Sequence, residues 1–344
     1  MGIRVMNKLK NYLYFQLSSS FFQIFFVLFA ITSIIYLVRI ASLTSIIQMT
    51  GFELFMLYLY ATPNIIFYTL PIVFFVALAI TISRLSSEYE TIVITSFGLN
   101  PYRIIKIFLP ITLIVSITLL IVSLGLVPKA KDLSRVFIEK KKNEAKLNIQ
   151  ASQNGQKFGN WLVYIQGEQN EVFYDVTMFK KDQNSKEFIT SDKADSISDN
   201  SEFLFTLYNG KAFIIKEDID QINFEKLTLL NSNNQKAIQD TFTNPIDYWS
   251  SMKENDKLRK DFALSVLISI FPIISMFLVV YIGYFNPRYE KNNASLLSAV
   301  AITLFIVSIV LFNKYIPIVS IIIIPTVWII VSYILLKKYV LSRY

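Results

Sequence analysis

The segment RLSSEYETIVITSFGLNPYR, residues Arg84–Arg103, lies between two long apolar stretches of a 344-residue chain. The stretches on either side, 54–83 and 107–128, contain no charged residue. Each is long enough to cross the hydrocarbon core of a bilayer, which takes about 20 helical residues. The charged segment is therefore a short connection between two predicted transmembrane helices, and the rest of the chain can be arranged around it.

Hydrophobic residues make up 53% of the sequence and are concentrated in runs of membrane-spanning length. Six spans are predicted, at about 13–38, 54–83, 105–128, 262–285, 293–313 and 315–336. The first run is longer than the apolar region of a cleavable signal peptide, so we expect it to be retained as a span. The second run contains Pro63 and Pro71. Its 30 uncharged residues are more than a bilayer core needs, so we expect a tilted, broken or partly interfacial span. The prolines favour a bend that shapes a cavity, or they are the ordinary prolines of a membrane bundle.

The distribution of positive charge predicts the topology. Outside the polar block 129–261, the chain has 13 basic and 4 acidic residues, so its net charge of +8 belongs to the membrane part. The basic residues concentrate at alternate connections: Arg4, Lys8, Lys10, Arg84, Arg103, Lys106, Arg288, Lys291, Lys337, Lys338 and Arg343. By the positive-inside rule, both termini and the 84–103 segment are cytoplasmic and the polar block is periplasmic. The basic character thus reflects topology, and no nucleic-acid partner is expected.

The polar block has the pattern of β structure. Six short runs rich in aromatic and β-branched residues are predicted to be strands: 161–165, 172–179, 187–196, 202–207, 211–216 and 221–227. Turn-forming clusters such as Asn209-Gly210 separate them at intervals of about ten residues. Such regular spacing is typical of an antiparallel sandwich, a jellyroll or an open barrel.

The predicted fold is a membrane α-helical bundle of six transmembrane helices, arranged three plus three, with an inserted all-β, jellyroll-like periplasmic domain. The N-terminal membrane half is 1–128 and includes a cytoplasmic coupling helix at 84–98. The β domain, with helical edges, is 129–261, and the C-terminal membrane half is 262–344.

Several kinds of chemistry are excluded by composition. The chain has no Cys and no His, which removes zinc sites built on those residues, catalytic triads and thiolate chemistry. Gly210-Lys211 lacks the rest of a phosphate-binding loop, and the spans carry no charged residue in their interiors. We therefore expect no enzyme activity, cofactor or metal in this chain. If it transports a substrate, the energy comes from another subunit.

The 84–103 segment is the candidate site for that energy input. Gly98 has the position of a residue that ends a helix, and Pro101 that of a first helical residue in the next span. Glu88 or Glu90 is suited to pair with an arginine of a partner, since charge-assisted hydrogen bonds are comparatively strong. The alternative interpretation is an amphipathic turn that lies on the lipid headgroups.

At these residues the chain resembles the LptF/LptG (YjgP/YjgQ) permease family of the lipopolysaccharide export ABC transporter. The family pattern R-L-x4-E-x7-G-[IL]-S-P-x-R is matched by Arg84, Leu85, Glu90, Gly98, Leu99, Pro101 and Arg103. Asn100 replaces the usual Ser, and Thr95 stands where the family often has a basic residue. The proline-bearing second span and the order of spans and β domain are also similar, over essentially the whole chain. The Arg-Leu-x-x-Glu-x-Glu opening of the segment favours LptF over LptG.

The resemblance implies a non-catalytic permease subunit in the bacterial inner membrane. Its partners would be a paralogous permease, a dimeric LptB-like cytoplasmic ATPase that binds ATP, and an LptC/LptA-like periplasmic bridge. Lipopolysaccharide would be extracted from the membrane and passed to that bridge. Glu90, by its motif position, would contact the ATPase.

Three further residues are candidates for contact with the lipid substrate. Arg39 is predicted at the outer end of the first span, where a guanidinium suits the phosphates of lipid A. The competing interpretation is an arginine that anchors the helix at the headgroups. Pro63 and Pro71 would act by shaping the second span next to the substrate.

Two other functions fit parts of the sequence. A membrane-anchored scaffold or receptor would use the β domain to bind a periplasmic partner. A lipoprotein-release-type exporter subunit fits less well, because such subunits usually have four spans. Copurification of a soluble nucleotide-binding protein would distinguish a transporter subunit from a scaffold.

Overall fold

The structure is a computed structural model of the full chain. It describes residues 3–43, 49–96, 101–147, 156–158, 161–169, 172–181, 186–199, 202–215, 219–230, 245–253 and 255–343. Within these ranges the protein divides into two compact units. The membrane unit is Met1–Ser42, Gly51–Ser134 and Phe242–Tyr344, and the strand unit is Leu43–Thr50 with Arg135–Thr241. Residues 129 and 261, our predicted limits of the β domain, lie inside helices.

The helices are α1 (Ile3–Leu43), α2 (Gly51–Ser87), α3 (Glu90–Ser96), α4 (Tyr102–Ile121), a π-helical segment (Val122–Leu126), α5 (Val127–Leu147), α6 (Pro245–Ser250), a 3₁₀ turn (Ser251–Lys253), α7 (Asp256–Ile274), α8 (Met276–Gly283), α9 (Ala294–Tyr315), α10 (Pro317–Tyr339) and a final 3₁₀ turn (Leu341–Arg343). In the described part of the chain, five helical stretches are long and apolar enough to cross a membrane, and α7 with α8 makes a sixth if the bent pair is one span. The predicted helical membrane bundle with an inserted β domain is confirmed.

The fourth span is broken, which the uniform apolar run at 262–285 did not predict. Helices α7 and α8 meet at an angle of 47° on either side of Ser275. Ser275 leaves the helical conformation, with φ −90° and ψ 1°, and Pro272 one turn earlier has no N–H to donate. The indole of Trp328 donates a hydrogen bond of 3.0 Å to the Ser275 hydroxyl and so stabilises the bend.

The second span is the central helix of the bundle. Helix α2 is assigned as one helix of 37 residues with Pro63 and Pro71 inside it, so the span is not broken. In its most apolar window 67% of the residues are buried, against 6% in the corresponding window of α1. Phe75, Leu78 and Ile82 of α2 belong to the main core of the membrane unit. Helix α1 is therefore peripheral, and α2 organises the bundle.

The strand unit is an antiparallel meander. Its strands are β1 (Gln156–Phe158), β2 (Trp161–Gln169), β3 (Val172–Lys181), β4 (Lys186–Asp199), β5 (Glu202–Ile215) and β6 (Ile219–Leu230). They form one sheet in sequence order. The predicted strands 202–207 and 211–216 are in fact the single strand β5, so the prediction of a turn at Asn209-Gly210 was wrong.

A row of irregular residues across the sheet explains that error. In each pair of neighbouring strands from β2 to β6, one pair of facing residues is left unpaired, and these positions form a row across the sheet. The register between the two strands is the same on both sides of the row. The residues of this row are Gln166, Asp175, Asp192, Asn209 and Glu225. Asp175 and Asn209 have the positive φ values of 52° and 49° that bulged residues often adopt. In β3 the buried side chains accordingly shift from Phe173 to Val176 and Met178.

Candidate functional site

Several helix ends of the membrane unit meet at the C-terminal end of α2. The Ser86 hydroxyl donates a hydrogen bond of 2.8 Å to the carbonyl of Gly283 at the end of α8. The Ser83 hydroxyl donates one of 2.7 Å to Oδ1 of Asn292, just before α9. A Cβ atom on Gly283 would lie 2.6 Å from Cβ of Ile82, so glycine permits this close approach of the two helices. The end of α2 is thus fixed tightly to the C-terminal membrane half.

A sharp turn separates α2 from α3. The N–H of Glu88 donates to the carbonyl of Arg84, and the N–H of Tyr89 donates to that of Ser86. Tyr89 has a φ of 62°, a left-handed conformation that costs a non-glycine residue about 1 to 2 kcal/mol. The carbonyl of Tyr89 then accepts from Ile92 and Val93 at the start of α3. The predicted coupling helix at 84–98 is therefore two elements, the last turn of α2 and the two-turn helix α3.

The two acidic residues of the segment lie in different surroundings. Glu88 is exposed in the turn. Glu90 is half-buried, and its Oε1 accepts a hydrogen bond of 2.8 Å from the hydroxyl of Tyr12 in α1. Gln16, one turn further along α1, donates to the same hydroxyl at 3.3 Å. The carboxylate predicted to contact a partner thus also makes a contact within the chain.

Tyr89, in the turn before α3, and Val93 of α3 form an exposed apolar stripe. Tyr89 and Val93 are 51% and 53% exposed and lie one helical turn apart, with the exposed Ser96 next in line. We call Glu88, Tyr89, Val93 and Ser96 the coupling surface. Beside it, Ile92 lines a groove of about 570 Å³ with residues of the α8–α9 connection and of the end of α10. These are Tyr284, Phe285, Asn286, Tyr289, Glu290, Tyr339 and Val340.

The other predicted site residues of the segment have varied positions. Leu85 is buried at 1% exposure and packs in the core, whereas Arg84 and Arg103 are exposed. Pro101 is buried and directly precedes α4, and its carbonyl accepts from Ile104. Gly98 lies outside the described residues.

The three candidate lipid-contact residues do not lie with the coupling surface. Arg39 is exposed, 27 residues from Tyr12 in the same helix, or about 40 Å along its axis. Pro63 is half-buried and Pro71 is buried in the core of α2. Lipid contact stays a prediction, for which Arg39 and Pro63 have accessible surface.

Sequence reasoning did not find Tyr12 or Asn292. Tyr12 is 78 residues away from the glutamate that it contacts, and Asn292 is 209 residues away from Ser83. Each is an ordinary polar residue near a predicted span end, so nothing local distinguishes it. Only the packing of the bundle brings these partners together.

Comparison with known proteins gives a match over nearly the whole chain. The family model described as "Lipopolysaccharide export system permease LptF/LptG" matches residues 11–341, which include both membrane halves and the strand unit. A search among curated proteins found no match.

Proposed function

Because this chain belongs to the LptF/LptG family of lipopolysaccharide export permeases, we propose that it is a non-catalytic permease subunit that ATP hydrolysis in a separate LptB-like subunit drives from the cytoplasmic side. Members of this family are permease components of the lipopolysaccharide export system. In our proposal this subunit pairs with a paralogous permease, extracts lipopolysaccharide from the membrane and passes it to a periplasmic LptC/LptA-like bridge.

The coupling surface is the observation that carries the proposal. The apolar side chains of Tyr89 and Val93 are half-exposed, so they are not buried in the core of the membrane unit. They are therefore available to pack against a partner. The stripe is held by a tight turn on α2, a deeply buried span, so a force on α3 acts directly on the core of the bundle. A short helix that is attached in this way suits a mechanical contact with an ATPase that changes shape.

The charge distribution supports the proposed orientation. Arg84 and Arg103 flank the coupling surface, and Arg288 and Lys291 lie in the adjacent α8–α9 connection. Positive charge beside the ends of spans is typical of the cytoplasmic face. An ATPase that binds there would have access to cytoplasmic ATP, and the strand unit would lie in the periplasm.

The experiment is copurification of the ATPase with variants of the coupling surface. Val93→Asp places a charge in the apolar stripe and is expected to reduce the bound ATPase at least about five-fold, as expected for a residue central to an interface. Ile246→Asp in α6 is the matched control, since Ile246 is 81% exposed and lies outside the coupling surface. Equal loss of ATPase from both variants, or loss from neither, would contradict the proposed contact.

A second measurement tests transport itself. The purified complex in proteoliposomes should release lipopolysaccharide to an acceptor only when ATP is hydrolysed. A chain that binds no ATPase but still binds a periplasmic protein would instead behave as a scaffold.

A further inference from the structure

The third span changes its helical form where it approaches α5. Residues Val122–Leu126 form a π-helix, in which the N–H of Val127 donates to the carbonyl of Val122. Pro128 explains why this occurs here. In an α-helix the Leu124 carbonyl would accept from residue 128, but proline has no N–H and its ring clashes with that carbonyl. A widened turn of this kind relieves the clash, and such turns are often found at functional sites.

The carbonyl that Pro128 leaves without its helical donor has another partner. The indole Nε1–H of Trp249 donates a hydrogen bond of 2.8 Å to the Leu124 oxygen. The Trp249 ring is held edge-on against Tyr248 and Phe262, with ring centroids 4.9 and 5.2 Å away. The position of the indole is therefore set by its own neighbours, and the bond satisfies a polar group of the distorted helix.

This bond joins two segments that are 125 residues apart in sequence. The π-helix leads into α5, through which the chain leaves the membrane unit for the strands. Trp249 lies in α6, by which the chain returns from the strands to α7. The Ser123 hydroxyl lies 3.0 Å from that of Ser269 in α7, so the π-helix is also bonded to the fourth span. All of these residues lie in the membrane unit.

We propose that Trp249 is a positioning residue of the transport cycle, which couples the third span to the segment that returns from the strands. This inference rests on the proposed function. The third span begins at Tyr102, as the next described helix after α3 along the chain, and it runs without interruption to the π-helix. A displacement that an ATPase imposes on α3 reaches Leu124 along this helix, and the indole passes it to α6. The outgoing and returning connections then move together.

The test separates this role from a purely structural one. Trp249→Phe keeps an aromatic ring but removes the N–H, which leaves the Leu124 carbonyl without its indole donor. Pro128→Ala supplies a backbone N–H to that carbonyl. In the double variant Trp249→Phe, Pro128→Ala, the Leu124 carbonyl therefore has a donor within its own helix, but the hydrogen bond to α6 is absent. Thermal stability is expected to fall in Trp249→Phe and to recover in the double variant. Lipopolysaccharide released per ATP hydrolysed is expected to fall roughly 3- to 30-fold in both variants.

Trp328→Phe is the matched control, because it removes an indole hydrogen bond from within the bundle. It is expected to lower thermal stability while keeping release per ATP. Recovery of release together with stability in the double variant would overturn the proposal, and so would unchanged release in Trp249→Phe. Failure of both Trp249 variants to fold would also overturn it, since the bond would then be a structural requirement. Failure of the proposed function is distinguishable, because the unmodified chain would then release no lipopolysaccharide with any ATPase.

Discussion

The hydroxyl of Tyr12 donates a hydrogen bond to Oε1 of Glu90, and it thereby connects the peripheral first span to the helix of the coupling surface. Nearby, the Tyr14 hydroxyl donates to the carbonyl of Ile107 in α4 at 2.7 Å. Leu13 and Leu17 of α1 are buried in the main core at this end, so apolar packing and the two tyrosine hydroxyls together attach the helix. Glu90 thus makes a contact inside the chain, and we propose that the contact with the ATPase depends on the apolar stripe beside it.

A double-mutant cycle should measure this attachment. Tyr12→Phe and Glu90→Ala each remove one partner, and the coupling energy between them is expected to be about 1 kcal/mol, since the bond is to a carboxylate but partly open to water. The readout is hydrogen–deuterium exchange of the α3 amides, which should speed up about five-fold in either single variant. Glu90→Gln keeps an acceptor oxygen and should exchange more slowly than Glu90→Ala. Additive effects of Tyr12→Phe and Glu90→Ala would argue against a direct bond.

The same variants distinguish a direct contact between Glu90 and the ATPase from an indirect effect of Glu90 on ATPase binding through the position of α3. If its carboxylate works by positioning α3, Tyr12→Phe should reduce ATPase copurification as Glu90→Ala does. If the carboxylate contacts the ATPase, only the Glu90 variant should lose the partner. Glu225→Ala in the strand unit is the charge-matched control, since Glu225 is also acidic but lies outside the membrane unit. We expect the two α1–α3 variants to behave alike, because the Tyr12 hydroxyl already accounts for one carboxylate oxygen.

Substitution of Gly283 should destabilise the packing of α8 against the end of α2, which leads into the coupling surface. In Gly283→Ala the new Cβ would lie 3.0 Å from the Ala79 carbonyl as well as close to Ile82, so the helices must separate. A cost of about 1 to 3 kcal/mol is expected from overpacking, even though alanine favours helix. Gly51→Ala is the control, because no atom of the described residues lies within 4 Å of its added Cβ. The measurement is thermal unfolding in detergent, and equal midpoints for the two variants would refute the close approach.

The fold was predictable where a single physical property decides it. Apolar runs of spanning length located the helices, and alternating basic connections predicted a topology. The break at Ser275 was not predictable in the same way, because the run at 262–285 is apolar throughout and Pro272 alone does not fix where a helix bends. The indole of Trp328, 53 residues further on, stabilises that bend, and only tertiary structure brings it there.

The segment that carries the candidate site could be selected from the sequence, but its local geometry could not be predicted. The charges of Glu88 and Glu90 located the segment, whereas the turn at Tyr89 requires a left-handed tyrosine that sequence patterns disfavour. Asn209-Gly210 gave the opposite error, since a pair typical of turns lies inside a strand. Its local signal was real, because Asn209 does adopt a positive φ, but the neighbouring strands continue the sheet through it.

Substitutions at Asn209 should therefore separate backbone conformation from side-chain chemistry. Asn209→Gly fits a φ of 49° without strain and is expected to leave stability within about 1 kcal/mol of the parent chain. Asn209→Val is expected to destabilise the strand unit by about 1 to 2 kcal/mol, because a β-branched residue resists this conformation. The measurement is the thermal midpoint of the strand unit followed by circular dichroism. A valine variant as stable as the glycine variant would contradict the irregular row.

The proposed topology can be tested with single cysteines, because the chain contains none of its own. Tyr289 and Tyr315 form a matched pair, 77% and 75% exposed, at the two ends of the fifth span. A membrane-impermeant maleimide should label Tyr315→Cys in intact spheroplasts, since Tyr315 is predicted to face the periplasm. Tyr289→Cys lines the groove beside the coupling surface and should be labelled only after permeabilisation. Labelling of Tyr289→Cys in intact cells would place the groove outside the cytoplasm, where no ATP-driven partner could reach it.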